Sequence, residues 1–461
     1  MRDVIVSLFI LGSLPTCFRR PFIGLLMFTL LAYMRLQDLT WGFARFQRWS
    51  YWVAIITLAG FFVTSGQKRF MTGDLRNWMM VGLGLLVGAS LIAGGYLTKS
   101  DFEIYIDFLK VLGVAMFTTG IVKNREYLRI LVWVIALAFG FYGVKNGVAS
   151  LVSGGALQII QGPGGMLSDN NDFALALCMG TPMLLCLGLA ETRPLLRRTF
   201  IAMVPLTLLT IMATNSRGAF LAISATILLL VWRSKNRVAG FTVAALMALA
   251  AVLVAPKSYV ERLSTIKEYK SEGSAAGRIA AWGVALNMVK HNPVLGVGFD
   301  KFQRNYKRYD PASLSDEEYG PGTRVAHNSY LQIWAECGTP AFLIYLMLIL
   351  LSFLDLWRVR RLAEERYYTS WILTYATMFE ATLVAFVVGS FFLNRAHFDL
   401  FYHFVAIVVV FGAIARAEME GSTAVATPSG GRGPLAPLEW LGGRGFERRT
   451  QTRGFARAGR S

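Results

Sequence analysis

Thirteen apolar runs follow one another along this chain with only short polar breaks between most of them. They cover 4–17, 20–34, 50–63, 78–97, 104–122, 128–151, 172–190, 199–214, 218–232, 237–255, 329–353, 369–393 and 398–415. Several approach the ~20 residues that a helix needs to cross a bilayer. With 55% hydrophobic residues and a mean hydropathy of +0.48, 461 residues are too apolar for a soluble fold. Val4–Leu14 has the look of a signal-peptide core, but no small-residue cleavage site follows it and further spans do. The expected fold class is an all-α polytopic integral membrane protein. Its count is 12 or 13 helices, because the first two runs, interrupted by Arg19, Arg20 and Pro21, read equally as one broken hairpin.

Four parts follow from that pattern: an N-terminal transmembrane bundle (1–255), a large polar loop (256–327), C-terminal transmembrane helices (328–415) and a basic tail (416–461). The tail, rich in Gly, Pro, Ser and Arg, lacks the apolar residues for a core and is expected to be disordered, with arginines able to touch anionic lipid. The formal charge of +18 is spread over loops between spans, which argues against nucleic acid as a partner and leaves membrane lipids as the ordinary one. Cys17, Cys178, Cys186 and Cys337 show neither metal nor disulfide spacing.

Lys and Arg in short loops set orientation. Segments 123–129, 191–198, 233–237 and 355–366 and the tail are basic, hence expected in the cytoplasm. The uncharged 152–171 loop, the bend at Arg217, the loop 256–327 and the bend 394–397 then share the opposite face. Arg35, Arg45 and Arg48 do not fit this count.

The large loop has mixed charge, 11 Lys/Arg against 8 Asp/Glu. Within it, Ile279, Trp282, Leu286 and Val289 read as one helical face, Asn292-Pro293 as its stop, 295–299 as a turn and 300–307 as a second short helix. Gly296 and Gly298 read as backbone-shape positions, and 315–320 as a solvated acidic loop.

The shared face collects Arg217, Arg278, His327 with Asn328, Arg395 and His397. A charge between two spans is costly unless it serves something. Each also has a plainer reading: Arg217 snorkelling, Arg278 a surface charge, His327 a helix-start residue, Arg395 and His397 interface anchors. Asn171 and Asp172 either contact substrate or cap a helix. Glu336, about two and a half turns beyond His327, is either a buried partner or faces a cleft. No metal-binding cluster is evident on this face.

The stretches SRGAFLA, GRIAAWGVALNMVKHNPVLGVGFDKF and AHNSYLQIWAECGTPAFLIYL resemble the O-antigen ligase and Wzy-type polymerase superfamily. There a large periplasmic loop precedes a His-Asn pair at the start of a late span. The N-terminal MRDVIVSLFILGSLP, RRPFIG and LTWGFA are similar to the putative O-glycosylation ligases associated with exosortase systems. The resemblance spans most of 1–415 and implies a GT-C-like glycosyltransferase of the bacterial inner membrane with its active site facing the periplasm. Its donor would be a glycan on undecaprenyl pyrophosphate, and its acceptor the lipid A-core oligosaccharide or, as main competitor, a protein hydroxyl.

On that resemblance His327 is the catalytic base, Arg217 and Arg278 bind the donor pyrophosphate, and Asn328, Asn171, Asp172 and Glu336 are further substrate-binding candidates; no cofactor or metal is implied. The alternatives of polysaccharide polymerase and of non-enzymatic lipid-glycan transporter stay open. A transporter should carry polar residues through the full membrane depth and two similar halves, whereas here the polar groups gather on one face.

Overall fold

The computed structural model describes residues 1–64, 69–95, 97–234, 237–238, 240–242, 273–310, 324–366 and 370–424. The expected span 237–255, the acidic stretch 315–320 and the tail beyond 424 lie wholly or mostly outside them. Among the described residues there is no β-strand, and the helices are α1 (Arg2–Arg19), α2 (Pro21–Tyr33), α3 (Trp49–Val63), α4 (Leu75–Ala93), α5 (Lys99–Ile121), α6 (Arg125–Val152), α7 (Asn170–Ala190), α8 (Pro194–Ala213), α9 (Arg217–Arg233), α10 (Gly273–His291), α11 (Phe302–Tyr309), α12 (Ser329–Arg366), α13 (Ser370–Ser390) and α14 (Asp399–Ala424). Eight of these, α4 to α8 and α12 to α14, are long and apolar enough to cross a membrane, and the chain is a multi-pass membrane protein. The first two runs are separate helices joined through Arg20, whose backbone is non-helical. The helix α14 continues to Ala424, past the boundary expected at 415.

Small residues let the helices approach. Gly143 and Gly147, four apart on α6, leave no room for a Cβ against Thr207 and the Leu206 backbone of α8, the small-xxx-small geometry of membrane helices. Thr210 Oγ1 then donates across the seam to the Gly143 carbonyl at 2.7 Å. The helices α7 and α14 are the most buried of the eight, with every residue from Phe173 to Met179 and from Phe404 to Val408 fully buried.

Polar contacts sort into two ends. At one end Arg76 bridges Asp74 and Asp355, Arg416 meets Asp355, Arg129 lies 3.7 Å from Glu191, and Glu380 receives Arg233 and Arg360. The basic segments grouped by the charge count therefore do share one end. At the other end Asn170 Nδ2 donates to the Thr214 carbonyl at 2.9 Å, Ser329 Oγ to the Leu393 carbonyl at 2.9 Å, and Arg304 pairs with Asp101 at 2.8 Å. Arg35 and Arg45 lie here too, against the expected rule, and both face the single carboxylate of Asp38, which offsets only part of their charge.

Over this second end α10 and α11 form a cap. The face of α10 that packs is Ala281, Val284, Ala285, Met288 and Val289, not the one expected. Ile279 and Leu286 are 53% and 43% exposed, and only Val289 and, in part, Trp282 turn inward. Two neighbouring stripes of this helix both have helical spacing, and the one through Ala281, Ala285 and Met288 is the one that packs. Arg278 lies inside α10, since the described residues from Gly273 on are already helical.

The run 329–353 is not one continuous span. Gly338, at φ 79° and ψ 177°, breaks α12, leaving a short helix 329–337 ahead of the long one. The turn after α10 caps that short helix. Val297 and Gly298 N–H donate to the Ala335 and Glu336 carbonyls at 2.9 and 3.0 Å, and Thr339 N–H donates to the Pro293 carbonyl at 2.8 Å. Ser90 Oγ adds a bond to the Glu336 carbonyl at 2.7 Å. Gly296 (φ 69°) and Gly338 sit where a Cβ would strike backbone of the other segment, so both the left-handed conformation and the close approach demand glycine.

Candidate active site at the capped end

His327 precedes the short helix and has φ 46°, a left-handed conformation uncommon for a residue with a side chain. Its neighbours fix it there. On one side, Trp282 Nε1 of α10 donates to the Ala326 carbonyl at 3.0 Å. On the other, Asn328 Oδ1 accepts from Tyr330 and Leu331 N–H, both at 3.0 Å. Asn328 is thus the N-cap of α12, 2% exposed, and its carbonyl oxygen is committed to the helix rather than to a sugar. The next residue, Ser329, bridges the helix start to the bend after α13: Arg395 N–H donates to Ser329 Oγ at 2.9 Å.

The imidazole is accessible to solvent, but crowding on one side removes water from it. That loss of hydration is the main reason its pKa falls below the ordinary 6.5. Arg278 pushes it further down, Asp169 pulls it up and Arg324 pushes it down again. The result is an imidazole biased toward the neutral, proton-accepting form at pH 7, beside two guanidinium groups. Arg278 reaches it from α10, one turn before the Trp282 anchor, so a single helix positions both.

Arg217 is the first residue of α9, behind the N-cap Ser216, whose Oγ accepts from Ala219 N–H at 3.3 Å. Asn215 in left-handed conformation (φ 53°) makes the tight bend. This bend is tied to the start of α7 by the Asn170–Thr214 bond. A Cβ on Gly218 would come 2.9 Å from Phe392 Cβ, so Arg217 also adjoins the bend after α13. The start of α7 thus adjoins both: Asn170 bonds the bend that precedes Arg217, and the cap Asp169 acts electrostatically on His327.

Three of the weaker candidates have structural work. The cap of α7 is Asp169, which accepts from the Asn171 and Asp172 N–H groups, so neither Asn171 nor Asp172 is the cap. Asn171 Nδ2 donates to Asp169 and Asn170 at 3.1 and 3.0 Å. Asp172 is 3% exposed and pairs with Arg395, which turns it away from a role as free donor contact. Glu336 is 2% exposed. It accepts from Phe302 N–H and Gln332 Nε2, both at 3.3 Å, and lies 3.7 Å from His397 Nε2. Of its two readings, the buried partner is the correct one. Arg395 and His397 are also more than interface anchors. Arg395 is built into the Asp172 pair, and His397 packs on Phe299 at 4.5 Å and Phe108 at 5.4 Å.

Sequence reasoning passed over Asp169 and Arg324. Both were visible as polar residues within three positions of chosen candidates, but only folding shows that they act on His327. Among the described residues, no group of three or more His, Cys, Asp or Glu could hold a metal ion.

Comparison with known families adds an independent finding. Residues 202–346 match the family model described as O-antigen ligase, a stretch that contains Arg217, Arg278 and His327. Residues 1–188 match a family of unknown function (DUF5935). A search of curated proteins gave no match.

Proposed function

We propose, from the match of residues 202–346 to the family model described as O-antigen ligase, that this membrane protein is a glycosyltransferase that moves a preassembled glycan from undecaprenyl pyrophosphate to an acceptor hydroxyl. The capped end then faces the periplasm of a bacterial inner membrane. The observation that carries this is His327, with its lowered pKa, flanked by Arg278 and Arg324 at the rim of a membrane bundle. A polyprenyl tail stays in lipid while its pyrophosphate rests at the interface, so donor and base meet at that depth.

His327 takes the proton of the acceptor hydroxyl as its oxygen attacks the anomeric carbon. The bond from that carbon to the pyrophosphate oxygen breaks, and undecaprenyl pyrophosphate leaves with the electron pair. Direct displacement inverts the anomeric centre. Arg217 and Arg278 hold the pyrophosphate, because a guanidinium stays charged and its planar fork fits phosphate oxygens. They also stabilise the charge that grows on the leaving group.

The deciding experiment offers the purified protein an undecaprenyl-pyrophosphate glycan together with lipid A-core or an acceptor protein, separately. Glycosylated lipid A-core is the expected product. Product on protein alone would make it a protein O-glycosylation ligase. Lengthening of the donor glycan without either product would make it a polymerase, and no covalent product at all would leave only transport. With arginines at the pyrophosphate, transfer is expected to persist in EDTA. Activity abolished by chelator and restored by magnesium would overturn that part.

The pH profile follows from the base. His327 works only when neutral, so transfer rises with pH through its pKa and then levels. Because that pKa is depressed, the acid limb should inflect below 6.5. An inflection above this value in kcat/KM would argue against His327 as the titrating group.

A further inference from the structure

The charged groups that face His327 pull in opposite directions. Arg278 of α10 and Arg324 disfavour its imidazolium, whereas Asp169 favours it. The transfer reaction described above uses Arg278 and gives Asp169 no part. Yet a base that takes a proton beside two guanidinium groups becomes a third cation, and an opposite charge close by is what eases that.

Asp169 is fixed from both sides. Before it, the 152–171 loop folds back so that Gln161 and Asp169 form an antiparallel bridge, and Gly162 N–H donates to the Ser168 carbonyl at 2.8 Å. After it, Asp169 Oδ1 accepts from Asn171 N–H at 2.8 Å, Asn171 Nδ2 at 3.1 Å and Asp172 N–H at 3.4 Å. One oxygen does all the capping of α7. The other, Oδ2, has no hydrogen-bond partner among the described residues, and the side chain is exposed.

The start of α7 is clamped in turn to the start of α12. Asp172 pairs with Arg395, Arg395 N–H donates to Ser329 Oγ at 2.9 Å, and Ser329 follows His327 and Asn328 directly. Arg395 also feels Asp169, but its ion pair is with Asp172. An open carboxylate oxygen and an accessible imidazole are thus brought together by bonds between α7, α12 and the bend after α13. A base oriented by a third group is the recurring design of activated hydroxyl chemistry. In free enzymes such contacts are often long and close when substrate is bound.

Building on the transfer reading above, we propose that Asp169 is the positioning carboxylate of His327, orienting the imidazole and stabilising the imidazolium that forms when the acceptor hydroxyl gives up its proton. The proton passes from the acceptor oxygen to His327 and then to water, and Asp169 takes none.

The test removes the charge and keeps the cap, since asparagine caps a helix as well as aspartate does. In the full-length protein, Asp169→Asn should move the acid limb of kcat/KM about one pH unit lower, opposite in direction to Arg278→Gln, and slow transfer on the plateau about tenfold. Carbethoxylation of His327 by diethyl pyrocarbonate, followed by peptide mass spectrometry across pH, should show the same downward move without any glycan present. Glu103→Gln removes an exposed carboxylate from the same end and should leave both curves in place. If Asp169→Asn does not accumulate, Asp169→Ser also caps the helix and should give the same result. A midpoint that stays or rises, an equal fall in Glu103→Gln, or plateau transfer at the wild-type rate would each overturn the role and leave Asp169 as a helix cap. A wild-type chain that transfers no glycan, with the carbethoxylation midpoint still lower in Asp169→Asn, would overturn the transfer reading and leave the Asp169–His327 pairing standing.

Discussion

His327→Ala should reach the membrane at the wild-type level, still bind the lipid-linked donor and lose about 10²-fold or more in transfer, the scale of a positioned general base. The backbone at 327 complicates the choice of variant, because φ is 46° and alanine fits that region less well than histidine does. Asparagine tolerates it better and has no basic nitrogen. His327→Asn should therefore accumulate at least as well as His327→Ala and be as inactive. Glycan transfer and donor binding, measured at matched protein level, check both. Near wild-type transfer by His327→Asn would remove His327 from the chemistry. Failure of both variants to accumulate, with normal specific activity in what remains, would show that the residue only shapes the start of α12.

The arginines should behave differently. Arg217→Ala and Arg278→Ala should each lower kcat/KM by about 10²-fold, the cost of deleting a group aimed at developing negative charge. Because phosphate contacts act on ground state and transition state together, donor affinity should fall as well. Lysine at either position should recover only part of the loss, since a point charge cannot reproduce the bidentate fork. Arg278 carries a second signature that a scaffold residue would not. Its cation depresses the His327 pKa, so residual activity of Arg278→Gln should show its acid limb moved to higher pH than wild type. An unmoved limb would mean that Arg278 and His327 do not share a site, whatever the effect on rate.

The sequence by itself determined the class of fold and the sidedness of its charges. Apolar run length and basic short loops are local properties, and a bilayer translates them directly into crossing helices with basic residues at one end. The ends of α6, α7, α8, α9 and α13 accordingly fall close to the apolar runs. The sequence also marked Arg217, Arg278 and His327 as polar residues at one end of the bundle. What it did not carry was anything that depends on which helix touches which. Gly338 and Pro340 are helix-breaking residues visible in the sequence, but an apolar run alone does not tell a kink from a continuous span. The reason for the break is a tertiary one: the Pro293–Gly298 turn of the cap bonds to Ala335, Glu336 and Thr339 across it.

The polar candidates divided on the same ground. Asn328, Asp172 and Glu336 were as polar in sequence as His327. Only folding gave Asn328 two helix N–H groups, Asp172 the guanidinium of Arg395, and Glu336 the Phe302 N–H and Gln332, while His327 stayed accessible beside Arg278 and Arg324. A polar side chain's use is set by whether its hydrogen-bonding capacity is consumed inside the protein; Asn328 meets its partners within three residues, whereas Glu336 and Asp172 meet Phe302 and Arg395 from distant segments.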